Sequence, residues 1–112
     1  MSQATSPAMN SRRATNAALR KTGEGQFELS GDVGFKTASA LLKNSIAQFA
    51  GERALRVDMA GVNNTDSAGL ALVIEWTRQA LAAGQDLKFT SVPAQLLSLA
   101  DISDAKELLP LA

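Results

Sequence analysis

Residues able to do chemistry gather in one stretch, Asn63-Asn64-Thr65-Asp66-Ser67-Ala68-Gly69-Leu70, where amides, a carboxylate and two hydroxyls precede an apolar run. Asp66 or Ser67 can cap a helix that begins here, accepting hydrogen bonds from the unpaired amides of its first turn, a role worth about 0.5 to 2 kcal/mol. The same stretch allows a second chemistry. Free amides and the positive end of the helix dipole would stabilise a phosphoryl group on Ser67. A dianion beside the Asp66 carboxylate would also repel a partner that docks through acidic residues of its own. Ser67 is therefore a candidate phosphoacceptor and charge switch, and Ala68 and Gly69 keep the first turn low enough for a partner to approach the backbone. Asp32, after Gly31, comes near Asp66 if their strands are neighbours. It serves as a turn residue bonding local amides, or as half of a carboxylate pair for Mg²⁺ or acid/base work. Two acids without a third ligand or a base make a weak case for the latter.

The 112 residues contain no histidine and no cysteine. That excludes Ser/His/Asp and Cys/His catalysis, thiol redox chemistry, zinc sites and disulfides. Ser67 lies in no G-x-S-x-G elbow, so no catalytic residue, metal or cofactor is assigned, and a binding or switching protein is expected rather than an enzyme. Eleven basic residues balance eleven acidic ones, which leaves no electrostatic footprint for nucleic acid or an anionic membrane. The balance is uneven: residues 1–25 hold four basic residues against Glu24, for +3, and the rest of the chain carries −3. The basic pairs Arg12-Arg13 and Arg20-Lys21 have no aromatic platform beside them. The longest apolar run, Leu70 to Ile74, falls far short of the roughly 20 residues that span a bilayer. With no secretory signal in the sequence, a cytoplasmic location is expected.

Several elements must position the Asp66-Ser67 stretch. Residues 1–16 are rich in Ser, Thr, Asn and Ala without apolar period and are expected to form a loose tail before a single domain over 17–112. A hairpin is predicted from Ala17–Lys21, a Gly-bearing turn and Gln26–Ser30. Ala38, Leu41, Leu42, Ser45, Ile46 and Phe49 recur at helical spacing and predict a buried stripe. Leu55, Val57 and Met59 alternate as in a strand. Ala60–Gly69 reads as turn and cap, leading into a helix over Leu70–Leu81 that Gly84 closes. A strand at Leu87–Val92 and two further helices, one opening at Pro93 and one near Ser103–Leu109, complete the order β-β-α-β-α-β-α-α. This predicts an α/β fold with a mixed sheet covered by about four helices, one sheet face covered better than the other.

On the helix after Gly69, the residues Leu70, Val73, Ile74, Thr77, Ala80 and Leu81 share an arc expected to face the core. Trp76 then lies about 100° and Leu72 about 140° from its centre, off the core. Trp76 either covers the sheet edge or forms, with Leu72, a partner-docking patch of the kind in which Trp is enriched.

Taken together, Leu29-Ser30-Gly31-Asp32-Val33, a helix, Leu55-Arg56-Val57-Asp58-Met59 and Asp66-Ser67-Ala68-Gly69-Leu70-Ala71-Leu72 resemble a STAS domain, the family named for sulfate transporters and anti-sigma factor antagonists. The resemblance covers about residues 17–110. Gly69-Leu70-Ala71-Leu72, Trp76, Val92-Pro93-Ala94-Gln95-Leu96 and Leu108-Leu109 are further similar to the STAS subunits of Mla phospholipid-transport ABC complexes. The resemblance implies no enzymatic activity and docking through the D-S-x-G loop and the helix behind it. The implied contact residues are Thr65, Asp66, Ser67, Ala68, Gly69 and Leu70, with Leu72 and Trp76 behind them and Asp32 alongside. The implied partner is the cytoplasmic ATPase of an inner-membrane phospholipid transporter that maintains outer-membrane lipid asymmetry, with the chain held at the membrane only through that partner. The alternative is an anti-sigma factor antagonist that switches partners when an anti-sigma factor kinase phosphorylates Ser67.

Overall fold

Leu55, Val57 and Met59 alternate with Arg56 and Asp58, so a strand through them turns one row of side chains to a core and the other away from it. The computed structural model describes residues 17–112 and repeats that pattern in four strands: β1 (Ala17–Gly23), β2 (Gln26–Val33), β3 (Ala54–Thr65) and β4 (Asp86–Thr90). The strands follow chain order across the sheet, with β1 antiparallel to β2 and the remaining pairs parallel. One face aligns Leu19 with Leu29, Phe27 with Val57, Val57 with Phe89, and Leu55 with Leu87. The other aligns Arg20 with Glu28, Glu28 with Asp58, and Arg56 with Lys88. The loose tail expected over residues 1–16 lies outside the described residues.

Three helices, α1 (Ala38–Phe49), α2 (Ser67–Ala83) and α3 (Ala94–Ile102), and a 3₁₀ turn at Lys106–Leu108 complete the chain. Parallel strands laid side by side in chain order require crossovers of one hand. All helices accordingly land on the apolar face, and the opposite face keeps only polar or small side chains, half-buried or exposed. The α/β mixed sheet with one better-covered face is as expected, and the fourth predicted helix is the single 3₁₀ turn. Beyond it the chain runs along β4, where the Phe89 amide donates to the Pro110 carbonyl at 2.9 Å and the Ala112 amide to the Phe89 carbonyl at 3.0 Å.

The helix–sheet layer is filled by α2, whose Trp76 is 1% exposed. Its ring stacks on Phe89 at 6.5 Å and meets Phe49 edge-on at 5.6 Å, and Phe49 in turn meets Phe27 at 5.0 Å. The indole Nε1 donates to the buried Ser45 hydroxyl at 2.8 Å, and that hydroxyl donates to the Leu42 carbonyl at 2.7 Å. Leu72 is likewise core, at 4% exposure. The off-core patch of Leu72 and Trp76 is thus corrected: the buried residues of α2 are Gly69, Leu70, Leu72, Val73, Trp76 and Ala80, so the core face keeps Leu70, Val73 and Ala80 of the expected arc but is rotated toward Leu72 and Trp76, and Leu81 stands 81% exposed. The reason lies in α2 itself, whose large apolar residues, from Leu72 round to Ile74, cover more of its circumference than one core face needs, so spacing alone leaves its rotation open. Small residues at Gly69 and Ala80 let that side approach the sheet, and Ser45 gives the indole its partner. Ile46, expected in the α1 stripe, is 62% exposed.

A second difference bears directly on the site. β3 runs on to Thr65 through residues read as turn and cap. Glycine and asparagine disfavour strands, but pairing with β2 overrides that preference, with register shifts between Glu28 and Ser30 and between Gly31 and Asp32 absorbing the irregularity. The extension sets Asp32 opposite Asn64 and Val33 opposite Thr65, so the loops after β2 and β3 emerge side by side.

Candidate docking site at the start of helix α2

The floor of the site is the paired ends of β2 and β3. The Thr65 hydroxyl, buried, donates to the Val33 carbonyl at 2.8 Å, and the Thr65 amide donates to Gln95 Oε1 at 3.2 Å. Gly69 sits directly above this bond, and a Cβ there would collide with both Thr65 Oγ1 and the Val33 carbonyl oxygen. Glycine therefore lets the first turn of α2 settle onto the strand ends.

Asp66 is the N-cap of α2. Its Oδ1 accepts from the Ala68 amide at 2.9 Å and the Gly69 amide at 3.2 Å, while Oδ2 accepts from the Phe35 amide at 3.1 Å. The Phe35 amide is the main cause that holds the Asp66 carboxyl below its ordinary pKa; partial desolvation opposes it, and the Gly69 and Ala68 amides add to it. The carboxylate is thus anionic at neutral pH and committed to this chain's own backbone. It also binds the β2–α1 loop to the start of α2. That loop is closed by its own bonds: the Gly34 amide donates to Thr37 Oγ1 at 3.0 Å, Thr37 Oγ1 donates to the Asp32 carbonyl at 2.7 Å, and the Ala38 amide donates to the Gly34 carbonyl at 2.8 Å. A Cβ on Gly34 would fall 2.8 Å from the Asp66 carboxyl carbon, so loop and cap fit only with glycine at 34.

Ser67 is the first residue of α2 and is exposed, as are Ala71 and Arg78 on the same arc, with Ala68, Ile74 and Glu75 half-buried. Beside them an open cleft of about 320 Å³ runs between the two loops, lined in part by Asp32, Phe35, Lys36, Asn64 and Asp66. Asp32 is half-buried and accepts from the Asn64 side chain at 3.4 Å. The expected proximity of Asp32 and Asp66 is thus met across one cleft. Among the described residues no three His, Cys, Asp or Glu side chains come together to hold a metal ion.

Of the residues predicted to meet a partner, Asp66, Ser67 and Ala68 reach the surface. Thr65 and Leu70, at 6% and 5% exposure, and Gly69 are buried, because they seat the helix on the sheet; with Leu72 and Trp76 they shape the surface from beneath. The sequence reading missed Phe35, which is 84% exposed, and the exposed Lys36 beside it. A signal was present in Gly34-Phe35-Lys36-Thr37, where a large apolar residue lies outside both neighbouring periodic patterns.

With this geometry in place, comparison with known proteins identifies the class. Residues 17–110 match the family model STAS_2, described as "Mlab, STAS domain"; the chain belongs to this family, whose STAS domains are generally non-catalytic regulatory or accessory domains. The fold is similar to that of a candidate anti-sigma factor antagonist from Thermotoga maritima, with a TM-score of 0.69 and 11% identity over 85% of this chain and 84% of that one. It is similar to a sulfate transporter family protein from Wolinella succinogenes, with a TM-score of 0.62 and 19% identity over 77% and 73% of the two chains. The anti-sigma factor antagonist SpoIIAA in its unphosphorylated form gives a TM-score of 0.64 and 15% identity over 86% and 87%. A search of the curated proteins found no match. No helix among the described residues is long and apolar enough to cross a membrane.

Proposed function

We propose that this chain is a non-catalytic STAS subunit that docks onto the cytoplasmic ATPase of an Mla-type phospholipid-transport ABC complex in the inner membrane and supports its assembly, thereby helping to maintain outer-membrane lipid asymmetry. It would lie in the cytoplasm, held at the membrane through its partner. The observation that carries the reading is the exposed Ser67 turn, fixed from below by Gly69 on the strand ends and from the side by the Asp66 cap. A surface already rigid loses little entropy when a partner covers it. The family match, whose description names Mlab, supports this choice of partner.

The test is co-purification of the tagged chain from native membranes, followed by binding of the purified ATPase subunit to wild type, Ser67→Asp and Ala71→Asp. Both residues are exposed, so the variants are expected to fold and to lose binding; undiminished binding in both would overturn the reading. The exposed Ser67 hydroxyl also favours a second reading, an anti-sigma factor antagonist released by phosphorylation. Incubation with an anti-sigma factor kinase and ATP separates the two, since mass addition at Ser67 with loss of binding supports the signalling role.

A further inference from the structure

We propose that the segment preceding β1 occupies the cleft beside Ser67 within its own chain: the guanidinium groups of Arg12 and Arg13 meet the Asp32 and Asp66 carboxylates, lie against the Phe35 ring, and cover the docking surface until a partner displaces them. The competition rests on the docking reading above and adds a regulator of that same surface, while the contact within the chain stands or falls on its own.

The place where this segment joins the domain brings it to the cleft. β1 is antiparallel to β2, and its first residue, Ala17, pairs with Gly31, next to Asp32. The residues before Ala17 therefore leave the sheet at the end where the β2–α1 loop and the start of α2 emerge. Across the sheet, β2 lies one strand spacing from β1 and β3 lies two, about 5 and 10 Å. Arg13 is four residues before Ala17 and Arg12 is five, and four residues reach about 14 Å. Both arginines have the length to meet Asp32 and Asp66.

Charge matches as well as reach. The cleft holds two carboxylates, Asp32 and Asp66, against one ammonium, Lys36, which leaves it net negative. Asp66 Oδ2 accepts one amide, and among the described residues the Asp32 carboxylate takes only the long 3.4 Å bond from Asn64, so each retains lone pairs for a guanidinium. Residues 1–16 supply Arg12 and Arg13 and no acid. Elsewhere Glu28, Glu52, Glu75 and Asp86 already hold ion pairs, and Glu24 lies in the turn at the far end of the hairpin. The Phe35 ring, 84% exposed, stands on the rim, and arginine is the cation that stacks on aromatic faces. Each such contact is weak at a surface. A short tether, however, gives an effective concentration on the order of millimolar, so contacts too weak to hold a second copy hold a segment of the same chain.

The chain contains no cysteine, so Ser11→Cys in the full chain takes a single spin label, whose broadening of backbone amide resonances is read by NMR. Broadening at Phe35 and Asn64 is expected. It should fall about threefold or more in Arg12→Glu/Arg13→Glu, weaken at high salt, and return when Asp32→Lys is added to that pair; Asp32→Asn alone should reduce it. Equal broadening in the charge-reversed protein, or none restored by Asp32→Lys, would overturn the contact. Broadening passed from a labelled chain to an isotope-enriched, unlabelled one would assign it to a second copy and overturn it too. Affinity for the ATPase subunit is then titrated by calorimetry. A segment covering the surface in about 70 to 90% of molecules lowers apparent affinity about 3- to 10-fold. Arg12→Glu/Arg13→Glu should therefore bind that much more tightly at low salt, with a smaller gain at high salt. Weaker binding would make the arginines part of the partner interface, and equal binding would remove the competition. Either result overturns the proposal, while loss of binding in Ala71→Asp keeps the docking reading. If Ala71→Asp and Ser67→Asp both bind as wild type does, the docking reading falls and the competition with it.

Discussion

Replacing Gly69 by alanine adds one methyl group to the exposed-looking start of a helix, where sequence alone suggests a gain. Alanine is favoured over glycine inside helices by about 1 kcal/mol. The structure reverses the sign. The new Cβ would overlap Thr65 Oγ1 and the Val33 carbonyl oxygen, and the latter is backbone at a strand end, so it cannot rotate away. Overpacking of this kind costs about 1 to 3 kcal/mol. Turning the Thr65 side chain aside to relieve the other contact breaks the bond from its buried hydroxyl to the Val33 carbonyl, adding about 1 to 3 kcal/mol for polar groups left without partners. Against the propensity gain, the net loss is about 3 kcal/mol. For a domain near 100 residues, each 1 kcal/mol moves Tm by about 4 to 8 °C, so a drop on the order of 15 °C is expected by calorimetry, with a matching fall in the urea midpoint. Thr65→Ala alone removes only the hydroxyl bond. Combined with Gly69→Ala it should cost less than the sum of the two, because the bond is lost once and the Val33 contact persists. A Gly69→Ala protein within about 0.5 kcal/mol of wild type would refute the claim that close approach, rather than chain flexibility, demands glycine here.

Ser45→Ala should destabilise by about 1 to 3 kcal/mol by leaving the Trp76 indole N–H buried without an acceptor; a cycle with Trp76→Phe should then show that Ser45 matters much less once the indole is gone. Leu72→Ala is expected to cost about 2 to 5 kcal/mol and Leu81→Ala about 0.5 kcal/mol or less, a contrast that urea titration of the two variants reads as the rotation of α2. The Asp66 carboxyl has a depressed pKa in the fold, so its contribution is complete above the unfolded-state value near about 4 and fades as pH falls through the depressed one. Urea midpoints measured from neutral pH into acid should decline less steeply for Asp66→Asn than for wild type, and equal slopes would contradict the clamp.

Strand and helix types were legible because alternation in Leu55–Met59 and helical spacing in Ala38–Phe49 are local patterns with one physical solution each. The cap was legible for the same reason, as an aspartate before a run of small and apolar residues. The rotation of α2 was not, since Ile74 and Leu81 are as apolar as Leu72 and Trp76, and only the sheet, Ser45 and the small residues at Gly69 and Ala80 decide between them. The length of β3 was hidden because Gly61, Asn63 and Asn64 join a strand only when β2 offers them partners. Phe35 was overlooked because its position depends on a hydrogen bond to Asp66, 31 residues away. Of the nine residues named for a partner surface, Thr65, Gly69, Leu70, Leu72 and Trp76 are buried and seat the helix on the sheet, while Asp32, Asp66, Ser67 and Ala68 are half-buried or exposed.

The strand order has a consequence for how the molecule is made. Each strand pairs with the one preceding it in the chain, so the sheet can be laid down from β1 onward as the polypeptide leaves the ribosome, without waiting for a distant partner. Both loops around Ser67 and the whole of α2 are synthesised by Ala83. β4, α3 and the segment that runs along the β4 edge come afterward, and the arrival of β4 completes the burial of Trp76 against Phe89.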